Sequence, residues 1–349
     1  MDLSTTYLGM KLPHPMMAGA SPLSDELDTV KQLEDAGSAA IVLRSLFEEQ
    51  ILREQVANML YLDAPNESFA EATTYFPSPE MFVLGPDEYL NHLRRVKEAV
   101  DIPVIASLNG STPGGWLDYG RLMEQGGADA LELNVYHASI DPQKSGAEVE
   151  RETVEMVREV KRSVKIPVAV KLSPFFTSFA NFARQLDRED ADGLILFNRF
   201  YEADIDVLEL QVTRALHLSD SSELLLRLRG IAALAPLVRG SLAVTGGVHT
   251  ALDIVKSTMA GAHATQMVSA LLKNGPEYLF KVRRDLEVWM EENEWQSLSE
   301  MRGNMAMDKA PNPKAYERAN YMMMLQSWEH DQPISSSFRS EGPTGSGRT

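Results

Sequence analysis

The sequence predicts an α/β fold, namely one (β/α)8 TIM barrel with loop insertions over its C-terminal mouth. Short apolar segments alternate with longer amphipathic segments along the chain, which is typical of βα units around a parallel sheet. A chain of 349 residues is long enough for one large barrel domain. Eight apolar segments are candidate strands: Met16–Ala20, Ala39–Leu43, Val104–Leu108, Ala130–Leu133, Val168–Val170, Gly193–Phe197, Leu242–Val244 and Ala264–Val268.

The composition excludes several classes of function. Hydrophobic residues make up 44% and charged residues 24% of the chain, which is ordinary for a globular protein. The net charge of −17 repels phosphate backbones, so we expect no nucleic-acid partner. The lack of cysteine excludes disulfides, thiolate metal sites, cysteine nucleophiles and iron–sulfur clusters held by this chain alone. We therefore expect a reducing, cytoplasmic location and no metal site.

The sequence predicts no membrane segment. Met1–Pro15 lacks a basic region followed by an apolar stretch, and the chain has no run of about 18 apolar residues. We therefore expect neither a signal peptide nor a membrane span.

Local signals define several elements. Ser24 precedes two acidic residues, which predicts a helix from Asp25 to Asp35 that stops at Gly37. The segments "DIPVIASL" and "KIPVAVKL" each place a proline at the start of a buried strand, where a missing N–H does least harm. The segments "GGADALELN" and "EDADGLILFN" each end an apolar strand in asparagine. These recurrences indicate a repeated βα architecture.

Two segments interrupt the alternation of predicted strands and helices. Glu48–Pro86 is too long for a simple connection, and we expect it to cover one mouth of the barrel. Arg199–Gly230 contains "VLELQV" and "ELLLRLRG", which predict a small extra hairpin or a lid. We expect one domain over residues 1–332. The Ser-, Gly- and Pro-rich residues 333–349 are expected to be disordered.

Polar residues follow the predicted strands at the ends where parallel βα barrels place their active sites. A single asparagine there is often a turn former, but packing does not explain polar residues at six successive strand ends. Asparagine both donates and accepts hydrogen bonds, which suits the edge of a planar heterocycle. The residues are Arg44, Ser45, Asn109, Asn134, Lys171, Asn198, Thr245, Gly246 and Gly247.

Lys171 directly follows a buried strand, where an ammonium is costly unless it is paired. It therefore predicts either an internal salt bridge or a cation beside a flavin ring, where it stabilises the anionic reduced form. The glycine turn in "VTGGVHT", which leads into a helix, predicts a phosphate site, to which Ser269 and Ala270 add further amides. The small residues Ala18–Ser21 allow a flat ring to approach the backbone.

At this point the sequence resembles the dihydroorotate dehydrogenase family over Leu3–Met290. The clearest stretches are "LPHPMMAGAS", "LELNVYHAS", "VAVKLSPFF", "LAVTGGVHTALDIVKSTMAGAHATQMVSALL" and "NGPEYLFKV". The resemblance implies an FMN-dependent oxidoreductase that converts dihydroorotate to orotate in pyrimidine biosynthesis. It also implies a small-molecule substrate and a possible homodimer, and it leaves fumarate, a quinone or a partner protein open as electron acceptor. The lack of membrane-binding helices ahead of the barrel argues against the quinone-using branch.

The resemblance also implies roles for individual residues. His137 stands where the family has its Cys or Ser base, Lys171 would lie at the flavin ring, and Asn134, Asn198 and Ser139 would contact the substrate. The expected FMN-binding residues are Ala18, Gly19, Ala20, Ser21, Arg44, Ser45, Asn109, Asn134, Lys171, Thr245, Gly246, Gly247, Ser269 and Ala270.

Several positions depart from the family pattern. His137 replaces the usual base, Ser139 replaces an asparagine, and "TTYFP" replaces a substrate-binding loop. The family's Ser-Gly ahead of the helix that leads into strand seven is matched here to Arg229-Gly230. These changes leave two alternatives open besides dihydroorotate oxidation: a flavin oxidoreductase with a different substrate, and a flavin-binding paralogue without catalysis.

Overall fold

A computed structural model of the chain describes residues 1–50, 86–110, 113–135, 141–199, 203–213, 216–316 and 322. The chain separates into two compact units, Met1–Ala310 and Pro311–Thr349. The first unit holds the barrel. The described part of the second unit contains a 3₁₀ turn, Pro313–Tyr316. A domain that reaches residue 332 and a disordered tail beyond it stay predictions.

The first unit begins with an antiparallel hairpin of β1 (Thr5–Tyr7) and β2 (Met10–Leu12). The eight barrel strands follow in the predicted order, each parallel to its neighbours. The barrel strands are β3 (Met16–Ala18), β4 (Ile41–Val42), β6 (Val104–Gly110), β7 (Ala130–Val135), β8 (Val168–Leu172), β9 (Gly193–Leu196), β12 (Ser241–Thr245) and β13 (Ala264–Met267). β4 pairs with both β3 and β6, which closes the sheet, and β5 (Leu46–Phe47) continues along β6. The predicted (β/α)8 barrel is confirmed.

Helices pack around this sheet and connect its strands. Within the described residues none of them is long and apolar enough to cross a bilayer. The helices are α1 (Leu27–Asp35), α2 (Pro86–Ala99), α3 (Pro113–Gln125), α4 (Gly146–Ser163), α5 (Phe179–Arg188), α6 (Leu224–Leu234), α7 (Ala251–Ala260), α8 (Ser269–Asn274), α9 (Tyr278–Glu292) and α10 (Leu298–Met301).

The predicted start of the first helix is wrong by two residues. Pro22–Ser24 forms a 3₁₀ turn, and α1 begins only at Leu27. Ser24 does not cap the helix, because its hydroxyl donates to the Ser21 carbonyl and accepts the N–H of Arg44. The acidic Asp25 pairs with the Arg44 side chain instead of lying in the first turn of the helix. This local structure joins the loop after β3 to the end of β4.

The second interruption of the barrel contains two different elements. β10 (Asp204–Asp206) and β11 (Gln211–Thr213) form the expected extra hairpin. The segment "ELLLRLRG" forms most of α6 rather than a hairpin or lid, which corrects that part of the prediction. The first interruption lies mainly outside the described residues, so its expected position over the barrel mouth stays a prediction.

The lower barrel interior is apolar. Tyr7 is fully buried and belongs to one cluster with Ala130, Ala169 and Ala264. Because side chains alternate between the two faces of a strand, the residue two positions further on points into the same interior. The barrel strands therefore lead from an apolar base to the polar residues near their carboxyl ends.

Candidate active site

A cavity of about 250 Å³ lies at the carboxyl ends of the barrel strands. Eight of the predicted site residues line it, which confirms that the chain brings the ends of β3, β8, β9, β12 and β13 together. The eight are Ala20, Ser21, Lys171, Asn198, Thr245, Gly246, Gly247 and Ser269. Apolar side chains complete the wall, among them Phe197, Val248 and Val268.

Lys171 forms a buried network with two residues that sequence reasoning missed. Its Nζ lies 3.0 Å from Glu132 Oε1 and 3.5 Å from Gln266 Oε1. The Gln266 amide nitrogen donates to Glu132 Oε2 at 2.5 Å. Glu132 is completely buried, whereas Lys171 and Gln266 also line the cavity. The predicted internal salt bridge of Lys171 is therefore present, and its role beside a flavin ring stays a prediction, although Lys171 lines the cavity.

The carboxylate of Glu132 acts on its surroundings as a buried negative charge. Burial, together with this charge, raises the pKa of Tyr7 well above its usual value. Burial and Glu132 also raise the pKa of Tyr89, against a hydrogen bond that the Tyr89 oxygen accepts from the Ser107 backbone N–H. Glu132 could have been found in the sequence, because it interrupts the apolar segment "ALELN" two residues after the inward-facing Ala130.

A second polar cluster joins β6 and β7 beside the network. The Asn134 amide nitrogen donates to Ser107 Oγ at 2.7 Å and to Ser45 Oγ at 3.1 Å. The two serine hydroxyls lie 2.8 Å apart. Asn109 is the register partner of Asn134 and is half-buried. These contacts fix the orientation of the Asn134 amide, although this cluster does not line the 250 Å³ cavity.

Arg44 lies away from the cavity wall. Its Nη1 is 2.6 Å from Asp25 Oδ2, and its side chain is 38% exposed. The small residues Ala18 and Gly19 are buried beneath the first loop. A Cβ on Gly19 would lie 2.7 Å from Val268 Cγ2, so the missing side chain lets β3 pack closely against the end of β13.

The predicted phosphate turn has a conformation that suits glycine. Gly246 and Gly247 have φ values of +81° and +79°. A Cβ on Gly247 would lie 2.5 Å from the backbone nitrogen of Leu224. The Gly247 N–H donates to Ser219 Oγ at 3.3 Å, and the Ser219 N–H donates to Ser269 Oγ at 3.0 Å. The turn thus presents backbone rather than side chains to the cavity.

The start of α7 is a weaker phosphate site than its sequence predicts. Asp253 and Thr250 form a capping box, and the Asp253 carboxylate accepts the N–H groups of His249 and Thr250. A helix start is a good anion site when its amides point at the ligand, but here a carboxylate of the same chain already binds them. The glycine turn and the buried Ser269 and Ala270 remain as the predicted phosphate ligands.

The match of Arg229-Gly230 to the family's Ser-Gly is wrong, because both residues lie inside α6. Ser219 occupies the position ahead of that helix and lines the cavity. Arg227, which lines the cavity too, was also missed. Both belong to a segment whose helix was not recognised. His137, Ser139 and the "TTYFP" segment lie outside the described residues, so their roles stay predictions.

The residues present fit a planar cofactor that carries a phosphate. The positive-φ turn offers a cradle that a Cβ would fill, and Lys171 lines the same cavity as apolar residues such as Val268. A flat apolar ring with polar edges and an anionic end matches this combination.

Comparisons with known proteins find similarity to dihydroorotate dehydrogenases and to a dihydropyrimidine dehydrogenase subunit. A family model described as dihydroorotate dehydrogenase matches residues 83–290. The chain is 27% identical over 308 residues to the dihydroorotate dehydrogenase B (NAD(+)) catalytic subunit of Thermoplasma volcanium, covering 86% of this chain and 98% of that protein. It is 25% identical over 320 residues to the NAD-dependent dihydropyrimidine dehydrogenase subunit PreA of Escherichia coli K12, covering 86% and 76%. A putative dihydroorotate dehydrogenase A (fumarate) of Aeropyrum pernix is 24% identical, covering 83% and 94%.

Proposed function

This chain belongs to the dihydroorotate dehydrogenase family, and we propose that it oxidises dihydroorotate to orotate with FMN as its cofactor. Membership makes it an oxidoreductase that acts on CH–CH groups. The observation that best supports the cofactor is the single cavity wall that joins Lys171 to the glycine turn Gly246-Gly247. An ammonium and a phosphate-binding turn that line one cavity would serve the two ends of one cofactor.

Different residues are proposed to bind the cofactor, to bind the substrate and to accept the proton. The amides of Gly246, Gly247, Ser269 and Ala270 would hold the phosphate, with the Gly247 N–H giving up its 3.3 Å bond to Ser219 Oγ, and the Lys171 ammonium would lie at the ring. Bound FMN would supply the acceptor for a hydride from substrate C6, and the Lys171 ammonium would offset negative charge on that ring.

The proton from substrate C5 goes to a base, for which His137 is the proposed residue, since a histidine titrates near neutral pH. Asn134 and Asn198 orient the substrate, with Asn134 held by Ser107 and Ser45. Ser139 is proposed as a further substrate contact. Loss of one hydride and one proton converts the C5–C6 single bond to a double bond.

A second candidate is the oxidation of a different dihydropyrimidine, or the reduction of the corresponding pyrimidine. It is favoured by the relative that carries the name dihydropyrimidine dehydrogenase and by the altered residues at His137 and Ser139. The same cavity and cofactor serve this reaction, and only the contacts to the substrate ring differ.

An anaerobic titration tests both candidates. We expect the purified protein to be yellow, and dihydroorotate to bleach the flavin absorbance without oxygen. Bleaching by dihydrouracil and not by dihydroorotate would establish the second candidate. A flavin that no dihydropyrimidine reduces, although dithionite does, would indicate a paralogue without this chemistry. His137→Ala should abolish bleaching, and unchanged turnover would overturn the assignment of the base.

The electron acceptor can be assigned with the reduced protein. NAD(+), fumarate and a short-chain quinone are added separately, and the return of flavin absorbance is followed. The names of the relatives make NAD(+) and fumarate the first compounds to test. A homodimer stays a prediction, for which sedimentation of the purified protein is the direct test.

A further inference from the structure

Arg227 is a buried cation at the phosphate end of the cavity. It lies on α6, is 7% exposed as a whole residue, and lines the same cavity as the glycine turn. A Cβ on Gly246 would lie 2.7 Å from Arg227 Nη2 and 3.2 Å from Cζ. The guanidinium is therefore packed directly against the turn, and only a glycine at position 246 leaves it this space.

Two backbone carbonyls hold the guanidinium in place. Nε donates to the Thr245 carbonyl at 3.0 Å, and Nη1 donates to the Glu223 carbonyl at 2.6 Å. A guanidinium has five N–H groups, so these two bonds fix its plane without using all of its donors. Its ion pair with the Glu223 carboxylate is longer, with 3.6 Å between Nη2 and Oε2. The structure thus orients a planar donor whose charge is only weakly paired.

The charges around the cavity favour an anion. Its charged lining residues are Lys171, Arg199, Arg227 and Glu223, a net charge of +2 in a protein whose net charge is −17. Lys171 already has Glu132 as its partner. Burial lowers the pKa of Arg227, Glu223 opposes this, and the nearby positive charge of Arg199 lowers it further. A bound anion would offset both the burial of the Arg227 charge and its repulsion by Arg199.

We propose that Arg227 binds the phosphate of the flavin cofactor and makes this site select FMN over riboflavin. The inference rests on the proposed FMN function. The sequence predicted a phosphate site of backbone amides alone. Arg227 adds a charged guanidinium that can donate two hydrogen bonds to the phosphate. Arginine is well suited to binding phosphate because its planar guanidinium can donate two parallel hydrogen bonds to two phosphate oxygens.

The test is a binding titration of the flavin-free full-length protein with FMN and with riboflavin, followed by quenching of flavin fluorescence. We expect Arg227→Gln to weaken FMN binding by roughly ten- to a hundredfold, as for a lost charged hydrogen bond. Riboflavin binding should change by less than about threefold, since riboflavin lacks the phosphate. Arg229→Gln is the matched control, because this exposed residue of the same helix does not line the cavity. It should leave both affinities unchanged.

Each other outcome has a defined meaning. Equal weakening of both flavins by Arg227→Gln would show that the residue only supports the fold, and an unchanged FMN affinity would show that it does not bind phosphate. If this variant does not fold, Arg227→Lys decides, because it keeps the charge and loses the fork. A selective loss of FMN affinity in Arg227→Lys supports the proposal, and an equal loss or no loss overturns it. Wild-type protein that binds neither flavin would instead overturn the proposed FMN function.

Discussion

The ammonium of Lys171 lies 3.0 Å from the carboxylate of Glu132, and the two residues come from adjacent strands of the barrel. The Lys171 side chain is 8% exposed and that of Glu132 is fully buried. The carboxylate therefore lies behind the ammonium as seen from the cavity. This arrangement fixes the position of the cation and reduces the net positive charge that a ligand in the cavity experiences.

Breaking this pair should destabilise the barrel strongly. Lys171→Met leaves a buried carboxylate without its counter-ion, and we expect a loss of about 3 to 5 kcal/mol in the free energy of unfolding. Adding Glu132→Gln to this variant should restore part of the loss, because the uncompensated charge is then removed. Urea unfolding of the two single variants and the double variant measures the coupling. Additive losses would mean that the ion pair is not formed in solution.

The ion pair of Lys171 and Glu132 should also affect the reduction potential of the flavin. Glu132→Gln removes a negative charge behind Lys171 and keeps the size of the side chain, although an amide nitrogen replaces one of the two accepting oxygens. The anionic reduced flavin is then stabilised more, so we expect its midpoint potential to rise by about 30 mV or more, which is about 1.4 kcal/mol for two electrons. Spectroelectrochemical titration of the FMN-loaded protein measures the potential. Asp285→Asn, which changes an exposed carboxylate that pairs with Lys281 on α9, is the control. An unchanged or lower potential in Glu132→Gln would contradict this account.

The order of strands and the polar mouth could be predicted from the sequence, because both follow from local patterns. Buried strands such as Val168–Leu172 are apolar runs with a proline at the entry, and Lys171 stands out at the end of such a run. Closure of the barrel then follows from the βα repeat. Neither feature depends on contacts between residues that are distant in the sequence.

The partners of these polar residues could not be predicted, since they depend on contacts across the barrel. Gln266 meets Glu132 across 134 positions of sequence. Arg227 was missed for a different reason. The segment "ELLLRLRG" carries apolar residues on most sides, so its pattern did not distinguish a helix from a hairpin. Only the fold shows that this helix places Arg227 beside Gly246.

The glycine turn provides a graded test of the phosphate site. Gly247→Ala combines a positive φ with a backbone clash, and we expect it to destabilise the protein and abolish FMN binding. Gly275→Ala is the control for φ alone, because Gly275 has φ +85° and no atom within 4 Å of its added Cβ. It should cost about 1 to 3 kcal/mol, because φ +85° with ψ 169° lies in a backbone region almost confined to glycine, and it should leave FMN binding intact. Thermal unfolding and flavin titration of both variants measure the difference. Equal effects would mean that φ strain, rather than space at the turn, controls the site.

Two histidines, the buried His14 and the partly buried His263, should make the fold sensitive to acid. Burial, with the charge of Arg283, lowers the pKa of His14 to about 4. Burial, with Arg302, lowers the pKa of His263 to about 4. In both rings Nδ1 accepts a backbone N–H, which requires the neutral form. An imidazole in the unfolded chain binds a proton near pH 6.5, so the unfolded state takes up more protons than the folded state between these values.

Stability should therefore fall as the pH is lowered from 6.5 towards 4. Between pH 6.5 and 5 each histidine contributes a loss of about 1 to 2 kcal/mol. Replacing His14 and His263 by asparagine keeps an oxygen acceptor near Nδ1 and removes the titration. We expect the double variant to be less stable at pH 7 but to show a flatter pH dependence in urea unfolding over this window. An unchanged slope would mean that the two rings are protonated equally in both states. Carboxylates would then account for the acid sensitivity, because those that are paired in the folded state lose their partners on protonation at lower pH.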